Sequence, residues 1–95
     1  MKLYVTAIIK AKAEYRQEVQ AVLLNMVKET RKEQACIQYD LHQEINDPNI
    51  FVFYEIWANQ KGLDSHNQQS YIQEFGSIID SQLQEKPSIY ITQKI

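Results

Sequence analysis

Hydrophobic and polar positions in this chain alternate over some stretches and recur at helical spacing over others. In KLYVTAIIKA, residues 2–11, Leu3, Val5, Ala7 and Ile9 fall on one side and Tyr4, Thr6, Ile8 and Lys10 on the other, which predicts a strand with one fully apolar face. From about Glu14 to Lys32 there is no Gly or Pro, and Tyr15, Val19, Val22, Leu23, Met26, Val27 and Thr30 form one stripe of an amphipathic helix. Alternation returns in ACIQYDLHQEI, with Ile37, Tyr39 and Leu41 opposed to Cys36, Gln38, Asp40 and His42. The turn formers Asn46-Asp47-Pro48-Asn49 then lead into IFVFYEIW, so a hairpin is expected. ANQKGLDSHNQ predicts one or two helical turns interrupted at Gly62. A second long helix carries Tyr71, Ile72, Phe75, Ile78, Ile79 and Leu83, Pro87 stops it, and SIYITQKI is a fourth strand.

The order is β-α-β-β-α-β in a single domain spanning 1–95, with no linker or repeat. Two right-handed crossovers of this kind give a ferredoxin-like α+β fold, a four-stranded antiparallel sheet with both long helices on one face. The other face should carry Tyr4, Thr6, Ile8, Gln38, Asp40, His42, Val52, Tyr54, Ile56, Tyr90 and Thr92. That surface is too apolar to leave in water, and a second copy of the same sheet is its simplest cover.

Composition narrows the function classes. A net charge of −2 gives no electrostatic pull on nucleic acid or anionic lipid. One cysteine, no leader pattern at the N-terminus and no run of about 20 apolar residues read together as a cytoplasmic chain without a membrane span. Two glycines cannot build a phosphate-cradling loop, and Cys36, His42 and His66 do not lie at metal-ligand spacing, so neither a nucleotide cofactor nor a metal is expected.

The third strand carries the candidate chemistry. Alternation sets Phe51, Phe53, Glu55 and Trp57 beneath the helices and Val52, Tyr54 and Ile56 on the open face. A carboxylate among rings must find donors or take up a proton at a raised pKa. Glu55 is therefore either a satisfied structural group or a site residue. His66, three positions past Leu63 on the same helical face, carries the same two readings. Asp40 and His42 share a strand face and are read as rim polar groups of the sheet contact. Cys36, placed on that face, is read as a small packed residue and not a nucleophile. The charges of KETRKEQ, Glu33 among them, are read as the solvated face of the first helix.

Tyr54-Glu55-x-Trp57, His66 nine residues later, Glu33-x-x-Cys36-x-x-Tyr39 and the Asp47-Pro48 turn together resemble the antibiotic biosynthesis monooxygenase domain family over nearly the whole chain, with Ala35 where a glycine often precedes the cysteine. The resemblance implies a homodimer joined through its sheets and one pocket per subunit between sheet and helices. It implies His66, Glu55 and Trp57 as catalytic residues and Phe53, Tyr39, Tyr71 and Phe75 as substrate-binding ones. It further implies oxygenation of a small aromatic, quinol or polyketide-like compound by molecular oxygen without flavin or metal. Haem degradation is disfavoured, because Ala7 stands where that branch carries an asparagine. Two other readings use the same pocket: a non-catalytic dimeric binder of a hydrophobic small molecule, and an isomerase of a small dicarbonyl compound.

Overall fold

In a computed structural model that describes all 95 residues, β1 (Leu3–Lys10) leads through a short 3-10 turn (Ala13–Tyr15) into α1 (Arg16–Thr30). β2 (Cys36–Gln43) and β3 (Ile50–Trp57) follow, then α2 (Gln60–Asn67), α3 (Ser70–Gln82) and β4 (Ser88–Thr92). All strand pairs are antiparallel, in the order β2-β3-β1-β4. This is the ferredoxin-like arrangement, with one more helix than the minimal pattern. No helix is long and apolar enough to cross a membrane.

The core lies between the sheet and the helices. β1 contributes Leu3, Val5, Ala7 and Ile9, and β3 contributes Phe51, Phe53 and Trp57. α1 lays Val19, Leu23 and Met26 over them, α2 adds Leu63 and α3 adds Phe75. Each follows from the periodicity of its element, two along a strand and 3.6 along a helix. The expected hairpin turn is closed by Glu44, whose carboxylate accepts the amide N–H groups of Asn46 and Asp47, and by Asp47, which accepts that of Asn49 at 3.0 Å.

Two local expectations are corrected. The first concerns the start of β2, where Cys36 pairs with Trp57 and Gln38 with Ile56, leaving Ile37 as the extra residue of a β-bulge. Cys36 therefore turns to the core face beside Trp57, not to the Gln38–Asp40 face, and Ile37 is left 50 % exposed. The second concerns Gly62, which lies in the first turn of α2 and does not interrupt it. The Asn59 side chain caps that turn by accepting the Gly62 N–H at 2.8 Å.

The opposite sheet face has no covering element. Tyr4, Thr6, Ile8, Val52 and Ile56 are half-buried there, and Tyr54 and Tyr90 are exposed. At its β2 edge, Arg31 reaches over from the end of α1. Its Nε donates to the Tyr39 carbonyl at 3.1 Å and its Nη2 to Asp40 Oδ1 at 3.1 Å. Asp40 also accepts from Gln38 at 2.7 Å, and His42 stands exposed two residues on, so these polar groups belong to the strand edge and form no relay.

Candidate active site

β3 and α2 assemble the site between them. Glu55 and Trp57 are two apart on β3 and so point to the same side, where the Trp57 indole Nε1–H donates to Glu55 Oε1 at 2.9 Å. α2 carries Leu63 and His66 one helical turn apart, both buried against the sheet. The His66 ring lies over Trp57 with centroids 4.5 Å apart, and Tyr39, opposite Glu55 on β2, meets it edge-on at 5.5 Å.

Beside this cluster lies a cavity of about 240 Å³ between sheet and helices, with eleven hydrophobic residues among the fifteen in its wall. Of the residues expected to bind substrate, Phe53, Tyr39 and Phe75 line it, and Glu55, His66 and Asn67 bring polar atoms to it. No Lys or Arg reaches the wall. Ala7 and Val5 form part of its floor, and Ile89 and Ile91 its flank on β4. Those two isoleucines are 59 % and 54 % exposed, so the cavity opens along the β4 edge. Trp57 and Tyr71 are not in the wall. Trp57, expected as a catalytic residue, is instead fully buried behind His66, where its indole N–H holds Glu55.

Tyr71 turns to a residue that the sequence reading placed in solvent. Glu33, three positions beyond the end of α1, directs its carboxylate inward with only 14 % of the side chain exposed. Its Oε2 lies 2.8 Å from His66 Nδ1 and also accepts the Tyr71 hydroxyl. The available signal was Glu33-x-x-Cys36-x-x-Tyr39. A chain that has left its helix and is about to enter a bulged strand is free to turn a side chain back toward the core, and helical charge patterning does not apply there.

The electrostatics follow from burial. Glu55 is pushed up to about 7, chiefly by loss of water, with the Trp57 hydrogen bond pulling down and the Glu33 charge pushing up. Burial depresses the His66 imidazole below its ordinary value, against the opposing pull of its hydrogen bond and charge interaction with Glu33. Burial likewise raises the phenols of Tyr39 and Tyr71. It is also the largest cause that lifts the Cys36 thiol to about 11, ahead of Glu33 and Glu55, so this cysteine is unreactive near neutrality. The site thus combines a neutral imidazole, a carboxyl group poised near neutral pH and an apolar chamber.

The chain is similar to known proteins along most of its length. The family model for antibiotic biosynthesis monooxygenases matches residues 3–77. The "Putative monooxygenase YcnE" of Bacillus subtilis (strain 168) is 33 % identical over 69 residues, which is 73 % of each chain. The protein sll1783 of Synechocystis sp. is 34 % identical over 67 residues, 70 % of this chain but only 46 % of that longer relative. Among solved structures, a crystal structure of an antibiotic biosynthesis monooxygenase superposes with a TM-score of 0.91 at 27 % identity, covering 98 % of both chains. Matched by the family model over most of its length and by a relative one-third identical to it, the chain belongs to the antibiotic biosynthesis monooxygenase family.

Proposed function

We propose that the protein is a cofactor-independent monooxygenase of a small, flat phenol or quinol, working as a homodimer with His66 as general base. The observation that carries this reading is the apolar cavity whose wall presents a buried, neutral imidazole and a carboxyl group beside aromatic rings. A phenolic O–H entering such a chamber meets His66 as proton acceptor. General base catalysis of this kind contributes about 10²–10⁴ in rate. The resulting anion is electron-rich and poorly solvated, so it can pass an electron to dioxygen, and recombination forms a C–O bond. His66 returns its proton to the peroxide, the ring C–H breaks, the O–O bond cleaves, and one oxygen stays as a quinone carbonyl while the other leaves as water. The substrate supplies all four electrons.

Phe53, Tyr39 and Phe75 hold the ring, and Glu55 offers a hydrogen bond at the polar end. Its oxygen bonded to Trp57 is fixed, and near pH 7 its carboxyl group is close to half protonated. The absence of Lys and Arg from the wall favours an uncharged substrate over a phosphorylated or carboxylated one. An oxygen electrode tests the proposal. Metal-free protein supplied with bicyclic quinols should consume one dioxygen per quinol, and His66→Gln, which keeps a polar side chain in a buried position, should lower turnover by about 10²-fold or more. Binding without oxygen uptake across such a panel would leave the binder reading in its place.

A further inference from the structure

Glu33 lies outside the cavity, yet it is the only group hydrogen-bonded to the His66 ring. Two side chains converge on its Oε2, the His66 Nδ1 at 2.8 Å and the Tyr71 hydroxyl. Glu33 also lines a polar groove on the far side of α2 with Asn59, Lys61, Ser65 and Gln69. With 14 % of its side chain exposed, the Glu33 carboxylate is not sealed from solvent.

We propose that Glu33 is the positioning residue of the site, fixing His66 as the Nδ1–H tautomer so that the bare Nε2 is the nitrogen presented to the cavity. The reasoning is one of donors and acceptors. A tyrosine hydroxyl directed at a carboxylate oxygen donates to it, which makes Glu33 an acceptor. An ionised carboxylate has nothing to donate, so a nitrogen at hydrogen-bond distance from it must carry the proton. An imidazole has one lone pair when neutral. If Nδ1 holds the hydrogen, Nε2 holds the lone pair and accepts from whatever enters. Tyr71 thereby acts on the ligand through Glu33 and His66 without touching it. This inference rests on the proposed base role of His66 for its catalytic meaning, but the tautomer itself does not.

The chain has only two histidines, and the other, His42, is exposed, so nitrogen-15 labelling of histidine gives a spectrum with a built-in reference. Long-range proton–nitrogen correlations on the wild type, recorded above the imidazole's titration, should show His66 as the Nδ1–H tautomer and His42 as the Nε2–H form that free side chains prefer. Glu33→Gln offers Nδ1 an amide donor as well as an acceptor, and the Nε2–H tautomer of His66 should become substantial. Turnover should fall by about 10²–10⁴-fold with little change in KM, and Glu33→Asp should recover part of it. A wild-type His66 in the Nε2–H form overturns the proposal, as does a Glu33→Gln spectrum identical to the wild type. If Glu33→Gln fails to fold, the wild-type tautomer alone decides the matter by the first criterion. A correct tautomer in a protein that oxidises no quinol sinks the monooxygenase reading and leaves this assignment standing.

Discussion

Glu55 and His66 titrate in overlapping ranges with opposite consequences for stability. The folded Glu55 holds its proton to about 7 and the unfolded one to about 4.5, so the native state binds more protons between those values and its stability falls as pH rises through them. The full effect is roughly 3 kcal/mol at the conversion of 1.36 kcal/mol per pKa unit. His66 is depressed in the fold, so its contribution is complete above its ordinary value of 6.5 and is lost as pH drops below that. Below 6.5 the two slopes oppose each other, and above it only the Glu55 slope remains. Wild-type melting temperature should therefore decline from about pH 6.5 through 7, where only the Glu55 slope acts, and level off by about pH 8, where Glu55 is ionised in both states. Glu55→Gln keeps an acceptor for the Trp57 N–H and removes the charge. It should cancel the alkaline decline and melt higher than wild type at pH 8, a comparison calorimetry makes directly. An unchanged alkaline slope in that variant would show that Glu55 is not the group held protonated. For His66, alanine is a poor probe: the ring is buried against Trp57, and its removal leaves a hole as well as a missing base. Both residues were legible as buried polar groups from alternation and helical spacing alone. Glu33 was not, because its direction depends on a backbone turn that no periodicity describes.

At the scale of elements, the four strands and two long helices were readable because each has a periodic apolar face long enough to dominate its local preferences. The two departures occur where neighbouring backbones impose a condition that the pattern does not contain. One is the bulge at Ile37, which rotates Cys36 toward Trp57. The other is the crossing of α2 over the strand entry, where a Cβ added at Gly62 would stand 2.2 Å from the Cβ of Ala35. Glycine there provides close approach, and a reading of it as a helix breaker misses this. On propensity alone Gly62→Ala should stabilise α2 by about 1 kcal/mol. The contact reverses the sign, since Ala35 Cβ is fixed to the backbone and cannot rotate away; the variant should lose about 1–3 kcal/mol in urea unfolding. Adding Ala35→Gly removes the opposing methyl and should recover most of that loss, a coupling visible in a double-mutant cycle. Additive losses would mean that the two positions do not press on each other. The pair also bears on the site, because α2 carries His66 and Ala35 lies between Glu33 and Cys36. Any shift that relieves the clash moves the imidazole relative to its carboxylate.

The whole molecule has one sheet face packed and one uncovered, and β3 supplies both. Phe53, Glu55 and Trp57 face the helices, while Val52, Tyr54 and Ile56 face outward on the same eight residues. With Tyr4, Ile8 and Tyr90 these make an apolar surface across the central strands, the kind that marks a contact between chains. The polar groups at its edge, Asp40 held by Arg31 and Gln38, are already satisfied and suit the rim of such a contact. A two-fold sheet-to-sheet dimer covers the surface with itself, and light scattering at micromolar concentration should give twice the mass of one chain. Ile56→Asp places an unpaired charge in the dry contact at a cost of about 3–5 kcal/mol and should yield a monomer or an unfolded chain. Leu24→Asp, on the exposed outer side of α1, changes hydrophobicity equally and should leave the dimer intact. A wild-type mass of one chain, or dissociation by both variants alike, would rule out the sheet contact. A folded Ile56→Asp monomer carries the argument further. Its two neighbours on β3 are Glu55 and Trp57, so a strand released on its outer face should hold them less tightly, and quinol turnover should drop with the dimer even though Ile56 lies on the opposite side of the sheet from the cavity.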